Sequence, residues 1–212
     1  MMRKVSMARY RGPKNRIARR FGMNVFGRAR NPLAHKQHPP GMHGARRRKK
    51  SDYGVQLEEK QKLKVVFGMV SESQLRRYCD EASLCHGNTP ELLVQRLECR
   101  LDMVVYRLRL APTIFAAHQL VSHGHILVNG KPVTIRSFLV RPGMTISVRD
   151  KSKKHKLIVD AVQNSTRSIP EYLELNEGDL SGKLNSLPTL EAIPLPLEIN
   201  VPMVCDFLMH KR

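Results

Sequence analysis

The side chains best suited to a chemical task are the cations of residues 1–50, called the basic extension below. This segment holds sixteen Lys and Arg residues and no Asp or Glu. Guanidinium and ammonium groups bind phosphate oxygens, and neutralising many phosphates releases counterions, so such binding weakens steeply with salt. Fifty residues with one sign of charge also repel one another and stay expanded in isolation. The extension therefore predicts a partner that carries phosphates.

An organellar transit peptide is the alternative interpretation of this segment, since transit peptides are also Arg-rich and poor in acids. They are Ser-rich as well, whereas Ser6 is the only serine before Ser51. The extension instead contains turn-forming pairs such as Gly12-Pro13 and Asn31-Pro32, which punctuate a structured segment. We therefore favour phosphate binding.

The rest of the chain carries its charge unevenly. Residues 51–100 hold seven bases and eight acids, residues 101–156 ten bases and two acids, and residues 157–212 four bases and eight acids, within a formal net charge of +19. Two basic regions are thus separated by a near-neutral one. No recognition helix, zinc finger or basic zipper spacing is present, which favours RNA over DNA, because RNA is bound through its shape and backbone.

Other function classes are not supported by the residues. The chain has no Gly-rich phosphate loop and no His-Glu-x-x-His or Gly-x-Ser-x-Gly motif, so we predict no enzyme and no small-molecule substrate. His35, His38 and His43 form a weak zinc pattern, with phosphate contact or simple exposure as alternatives. The four cysteines lack zinc-site spacing and are expected to be reduced core residues. No stretch approaches the roughly 18 apolar residues of a membrane helix, so we predict no membrane partner.

Helix signals dominate residues 52–121. Strong helix formers at 57–67 predict a helix that ends at Gly68, and Ser71 opens a capping box for the next one. Thr89-Pro90 predicts a further start, with Thr89 as the N-cap. A short helix follows at 113–121. One apolar stripe at helical spacing comprises Leu97, Leu101, Val104, Val105 and Leu108.

Strand signals begin after Gly124. Asn129-Gly130 between two apolar runs predicts a hairpin with a type I′ turn. Residues 138–140 and 145–148 predict more strand, so residues 99–150 combine two helices with a small antiparallel sheet. Residues 157–212 predict a short helix at 157–162, extended pieces at 172–175 and 195–201, and a final apolar turn at 203–208.

Several stretches of the chain occur in the same order as the motifs of a known family. They are Met7–Pro13, Pro40–Gly44, Asp52–Leu57 with Glu59–Lys62, Arg100–Arg107, Gln119–Gly130 and Pro194–Asn200. Together they resemble the family of the bacterial small-subunit ribosomal protein S-four, in its zinc-free type. The resemblance covers nearly the whole chain, and Arg100–Arg107 with Gln119–Gly130 look like the family's small RNA-binding domain.

The resemblance implies an α+β fold. A mostly helical domain would carry an inserted small RNA-binding domain of two helices packed on an antiparallel sheet, preceded by a basic extended N-terminal segment. We expect residues 1–50 to be the rRNA-binding extension, 51–98 the helical domain, and 99–166 the small domain. Residues 167–212 are expected to pack on the helical domain and complete it.

The resemblance also implies a function. Members of this family bind the small-subunit (16S) rRNA early, nucleate assembly of the body of the subunit, adjoin proteins S-five and S-three, and influence the mRNA path and translational accuracy. We therefore expect a cytoplasmic, non-enzymatic protein of the small subunit that has no cofactor.

The resemblance and the charge pattern together predict a set of RNA-binding residues. In the basic extension and the helical domain they are Arg9, Tyr10, Arg11, Lys14, Arg16, Arg19, Arg20, His43, Arg46, Arg47, Arg48, Lys49, Lys50, Tyr53, Lys60 and Lys62. In the small domain they are Arg107, Arg109, His118, Gln119, His123, His125, Asn129, Lys131, Arg136 and Arg141. By position, residues 46–50 would lie nearest the mRNA.

Departures from the family pattern qualify these expectations. Zinc-binding relatives use N-terminal cysteines, but no Cys precedes Cys79 here, so no zinc is expected. Ile114 and His118 occupy positions where bases are frequent, and neighbouring arginines would compensate. Two rival functions remain open. An RNA-modifying enzyme of the pseudouridine synthase type would need its own catalytic domain, and a free RNA-binding regulator would be expected to end after one module.

Overall fold

A computed structural model describes residues 10, 12–28, 30–46, 49–163 and 167–210. Helix α1 (Lys14–Phe21) lies in the basic extension and buries Ala18. Phe26 follows it, is almost fully buried, and packs at 5.1 Å between ring centroids against Phe115 of the small domain. A hydrophobic anchor therefore holds the extension against the body of the protein.

Four helices form what we call the helical unit. They are α2 (Asp52–Val66), α3 (Glu72–Ser83), α4 (Thr89–Glu98) and, from the far end of the chain, α8 (Val201–Met209). Helix α8 packs on α2 and α4. Its N-terminus is fixed by the backbone N–H of Asn200, which donates to Glu59 of α2 over 2.9 Å. The C-terminal residues thus complete a core that begins more than 130 residues earlier.

Helix caps largely follow the sequence expectation. The predicted start at Ser71 is confirmed, because its hydroxyl accepts the N–H of Gln74 at 3.3 Å. The prediction for α4 is wrong by one residue, since Asn88 is the N-cap and Thr89 is already helical. Pro90 nonetheless lies in the first turn, where its missing N–H costs no hydrogen bond.

The apolar stripe from Leu97 to Leu108 does not belong to one helix, contrary to the sequence prediction. Helix α4 ends at Glu98, Arg100 is extended (φ −68°, ψ 140°), and α5 begins at Leu101. The N–H of Leu101 donates to the carbonyl of Phe138 at 2.8 Å, and the N–H of Val140 donates to the carbonyl of Cys99 at 2.8 Å. These bonds to a distant segment replace the helical ones.

The small unit combines α5 (Leu101–Arg107) and α6 (Ile114–Ser122) with strands β1 (Ile126–Val128), β2 (Lys131–Pro132) and β3 (Thr145–Val148). The predicted type I′ hairpin is confirmed, because Asn129 and Gly130 both have positive φ, 48° and 77°. The predicted strand at 138–140 is wrong: it makes only an isolated bridge between Leu139 and Arg100.

The C-terminal segment serves both units. Helix α7 (Lys156–Gln163) is followed by β4 (Leu173–Asn176) and β5 (Ser181–Leu184), which extend the antiparallel sheet in the order β2-β1-β3-β5-β4. Residues 167–184 therefore join the small unit, whereas the sequence analysis assigned all of 167–212 to the helical domain. Residues 195–200 form no strand, and the expected terminal turn is the helix α8. The predicted α+β class is confirmed.

Candidate nucleic-acid interface

The described part of the basic extension presents cations without neighbouring acids of its own. Arg16 and Arg20 are exposed on α1, one turn apart, and further exposed cations are Arg28, Arg30, Lys36, Arg46, Lys49 and Lys50. Lys50 pairs with Glu58 of α2. Arg19 is used internally, because its guanidinium donates to the carbonyl of His38 at 3.0 and 3.2 Å. That contact ties the loop after Pro32 to α1.

A cleft opens where the extension meets α6. We call it the basic cleft; its volume is about 660 Å³, and its lining includes Lys14, Asn15, Phe26, Arg28, Arg30, Asn31, Pro32, His35, Thr113 and Phe115. The Nζ of Lys14 lies 3.8 Å from the centroid of the Phe115 ring. Arg28 donates to the Oδ1 of Asn15 at 2.7 Å. Cations, amides and an aromatic ring with no carboxylate among these residues suit an RNA strand.

The small unit supplies further exposed polar side chains. Gln119 on α6, His123 after it, Asn129 and Lys131 in the hairpin, and Arg141 are all exposed. His125 is half-buried and contacts the hydroxyl of Ser152 at 2.8 Å. These residues stay predictions as RNA contacts.

Three predicted RNA-binding side chains lie against carboxylates of the protein itself, and their RNA contacts stay predictions. The Nζ of Lys60 is 2.7 Å from Glu72, with the lysine side chain only 6% exposed. Arg107 clamps Glu98 through two nitrogens, at 2.5 and 3.2 Å. His118 is buried at 3.2 Å from Asp102. The charges of Lys60 and Arg107 are paired within the protein, so a phosphate would have to compete with Glu72 and Glu98 for them.

Two further predicted cations have internal partners while staying partly exposed. Lys62 reaches Glu59 at 2.6 Å, and Arg136 contacts the Nδ1 of His118 at 3.1 Å. Arg109 differs from them: it has a left-handed backbone (φ 60°), and its Nε has no hydrogen-bond partner among the described residues.

Two of these carboxylates, Asp102 and Glu72, have lowered pKa values. Burial alone would raise the pKa of Asp102, but Arg100, whose Nη2 lies 2.6 Å away, and His118 together lower it. Burial would likewise raise the pKa of Glu72, and hydrogen bonds from Lys60 and Lys64 lower it. Both groups are ionised at neutral pH; Glu72 connects α3 to α2, and Asp102 of α5 lies against His118 of α6.

Some predicted residues fall elsewhere. Arg9, Arg11, Arg47 and Arg48 lie outside the described residues. Tyr10 is partly buried, His43 is exposed, and the Tyr53 ring packs against Phe207 at 5.4 Å between centroids, as part of the α2–α8 contact.

The predicted set also omits two groups of cations that the structure brings together. Arg28, Arg30 and His35 line the basic cleft, and Arg149, Lys151, Lys154 and His155 are exposed around the turn before α7. The density of bases in 101–156 was the available signal for the second group.

In the part of the chain that the structure describes, no group of three or more His, Cys, Asp or Glu side chains could hold a metal ion. Within the same residues, no helix combines the length and the apolar character needed to cross a bilayer.

Comparisons with known proteins agree with this architecture. The family model for the ribosomal protein S4/S9 N-terminal domain matches residues 9–98, and that for the S4 domain matches residues 99–146. The chain is 60% identical over 204 residues to the small ribosomal subunit protein uS4 of Protochlamydia amoebophila, covering 96% of this chain and 99% of that protein. The protein of the same name in Chlamydia trachomatis is 55% identical over 208 residues, covering 97% and 100%. That of Chlamydia pneumoniae is 54% identical over the same length.

Proposed function

Because the chain belongs to the family of the small ribosomal subunit protein uS4, we propose that it is a structural constituent of the small ribosomal subunit and binds the 16S rRNA directly. The role is structural and non-enzymatic, and the protein acts in the cytoplasm as part of that subunit. Its matches to the relatives run along almost their full length, so the proposal concerns the whole described fold.

The basic cleft is the observation that most directly supports RNA binding by this chain. Lys14, Arg28 and Arg30 come from the extension, whereas Thr113 and Phe115 come from the small unit. A backbone phosphate entering the cleft would meet cations, and an unpaired base would meet an aromatic surface, which are the two contacts that single-stranded and junction RNA offers. RNA in the cleft would therefore bridge the extension and the small unit.

We further propose the finer roles that the family implies. The protein would bind rRNA early and nucleate assembly of the body of the subunit, next to proteins S-five and S-three. Exposed Arg46 and Lys49, near the end of the extension, would lie closest to the mRNA and would influence translational accuracy.

Selectivity for folded rRNA tests the main proposal. The affinity of the full chain is measured for intact 16S rRNA, for the same RNA with a multi-helix junction disrupted, and for a generic duplex. Binding to the intact RNA should be at least about 1,000-fold tighter than to the duplex, since specific complexes exceed non-specific ones by such factors. Equal affinity for all three RNAs would contradict the proposed role.

The mRNA role has a separate test. The double variant Arg46→Ala, Lys49→Ala should assemble into subunits normally, but these subunits should misread codons at a rate that differs from wild type. The double variant Arg16→Ala, Arg20→Ala should instead weaken rRNA binding. Equal loss of rRNA binding and decoding behaviour in both variants would contradict the assignment of Arg46 and Lys49 to the mRNA.

A further inference from the structure

Three histidines meet at the end of the small unit that holds the turn before α7; we call them the histidine cluster. His123 follows α6, His125 precedes β1, and His155 precedes α7. The His125 ring lies 6.1 Å from that of His123 and 5.9 Å from that of His155, centroid to centroid. His125 is held by the buried hydroxyl of Ser152 at 2.8 Å, whereas the other two rings are exposed.

The surroundings of the cluster are cationic. Arg149, Lys151 and Lys154 are exposed in the same turn. The nearby carboxylate Asp150 pairs with Lys153 at 2.9 Å, and Asp179, from the β4–β5 turn, acts on Lys153 as well. Among the described residues, no carboxylate forms an ion pair with any of the three rings. Burial, the other two histidines and Arg149 together lower the pKa of His125.

The histidine cluster and its cationic surroundings are suited to binding an anion. A negative charge placed beside His125 would offset the neighbouring positive charges and favour the protonated form of that ring. The described residues offer no three-ligand metal site, which makes a cation a poor alternative. A phosphodiester carries a full negative charge and oxygens that accept hydrogen bonds from an imidazole Nε2–H, whereas the Nδ1 atoms of His125 and His155 already contact Ser152 and the N–H of Leu157.

We propose that His123, His125 and His155, with Arg149, Lys151 and Lys154, form a binding site for the RNA phosphate backbone in which binding is coupled to proton uptake. The inference rests on the proposed rRNA-binding function and adds a second contact region, separate from the basic cleft. On binding, the His125 ring takes up a proton from solvent, and the resulting imidazolium donates to the phosphate. By linkage, lower pH then tightens RNA binding.

Proton-linked affinity tests the site. The affinity of the full chain for 16S rRNA is measured from pH 6 to pH 8.5 at constant salt, for wild type and for the double variant His125→Gln, His155→Gln. Glutamine keeps a hydrogen bond to Ser152 but cannot titrate. Each proton taken up changes the affinity by up to about tenfold per pH unit, so the variant should lose about three- to tenfold of the gain that wild type shows between pH 8 and pH 6.

Two controls make the outcome specific. His86→Gln removes an exposed histidine from the α3–α4 turn and should keep the wild-type pH dependence. His155→Gln alone removes an exposed ring and should lose part of the dependence even if the double variant folds poorly. Identical pH slopes for wild type and the His155 variant would overturn the inference while leaving rRNA binding intact; absence of selective rRNA binding by wild type would instead overturn the proposed function.

Discussion

At the scale of single residues, the most constrained charge is Asp102. It is fully buried, and its carboxylate meets Arg100 at 2.6 Å and His118 at 3.2 Å. Replacing it by Asn leaves the buried Arg100 without a counter-charge, so Asp102→Asn should lower the free energy of unfolding by about 3–5 kcal/mol. Urea denaturation at pH 7 measures the loss.

The matched control for this variant is Asp150→Asn. Asp150 also pairs with a cation, Lys153, but its side chain is 89% exposed, and an exposed pair contributes little because water and salt screen it. A similar loss in both variants would show that burial is not what makes Asp102 important.

The lowered pKa of Asp102 also leads to a prediction of how the free energy of unfolding changes in acid. Its pKa is lowered in the folded state, so below the ordinary value of 3.8 the unfolded chain binds a proton that the folded chain does not. The contribution of Asp102 is therefore complete above that pH and declines as the pH falls through the lowered folded-state value. Wild-type stability should fall more steeply with acid than that of Asp102→Asn, as measured by denaturation between pH 5 and pH 2.

The same residues show where sequence reasoning reaches its limit at this scale. The sequence identifies which side chains are cationic, but not which of them point outward. Lys60 is paired with Glu72, and Arg107 with Glu98, across turns and helix boundaries. Only the packing of α2 to α5 brings these carboxylates within reach of Lys60 and Arg107. The sequence alone does not show these ion pairs, which is why both cations were predicted to bind RNA.

At the scale of elements, Gly68 connects the helical unit to α6. It has a left-handed backbone (φ 72°), and a Cβ there would lie 2.7 Å from Ile114 and 2.8 Å from the Nε2 of His118. Gly68→Ala should therefore cost about 1–2 kcal/mol for the backbone and about 1–3 kcal/mol more for overpacking. Thermal or urea denaturation measures the total.

Gly130→Ala is the control for this prediction. Gly130 has a nearly equal φ of 77° in the β1–β2 turn, but a Cβ there meets nothing within 4 Å. Its substitution should cost only the backbone term. If the two variants lose equal stability, the contact between the α2 terminus and α6 is not tightly packed.

Local signals predicted elements well when the signal and the partner were close in sequence. The Ser71 cap and the Asn129-Gly130 turn are of this kind. The break between α4 and α5 could not be predicted from the apolar periodicity, because the stripe continues across it and the break depends on bonds to residues 138 and 140. Strand β5 was missed because Ser181–Leu184 contains Gly182 and Lys183 and has no alternating apolar pattern.

At the scale of the whole molecule, the sequence separated two basic regions but could not show that they meet. Burial of Phe26 against Phe115 brings cations of the extension beside the N-terminus of α6 and creates the basic cleft. This contact joins residues almost 90 positions apart, and neither residue carries a signal that names its partner. The sequence therefore predicted which residue types form the candidate interface, whereas the shape of the interface depends on the fold.

Salt dependence distinguishes a specific cationic surface from net charge alone. Arg16 and Arg20 are exposed one turn apart on α1, and Arg76 and Arg77 are exposed neighbours on α3 that face Glu72 and Glu81. Replacing either pair by Gln removes the same charge. If the extension binds rRNA, Arg16→Gln with Arg20→Gln should reduce the slope of log affinity against log salt by roughly 1.5, since each lost phosphate contact removes about 0.7–0.9. Arg76→Gln with Arg77→Gln should leave the slope unchanged, because those guanidiniums already face carboxylates.

Equal reductions for the two variants would mean that affinity follows total charge, and the extension would then have no special part in holding the RNA.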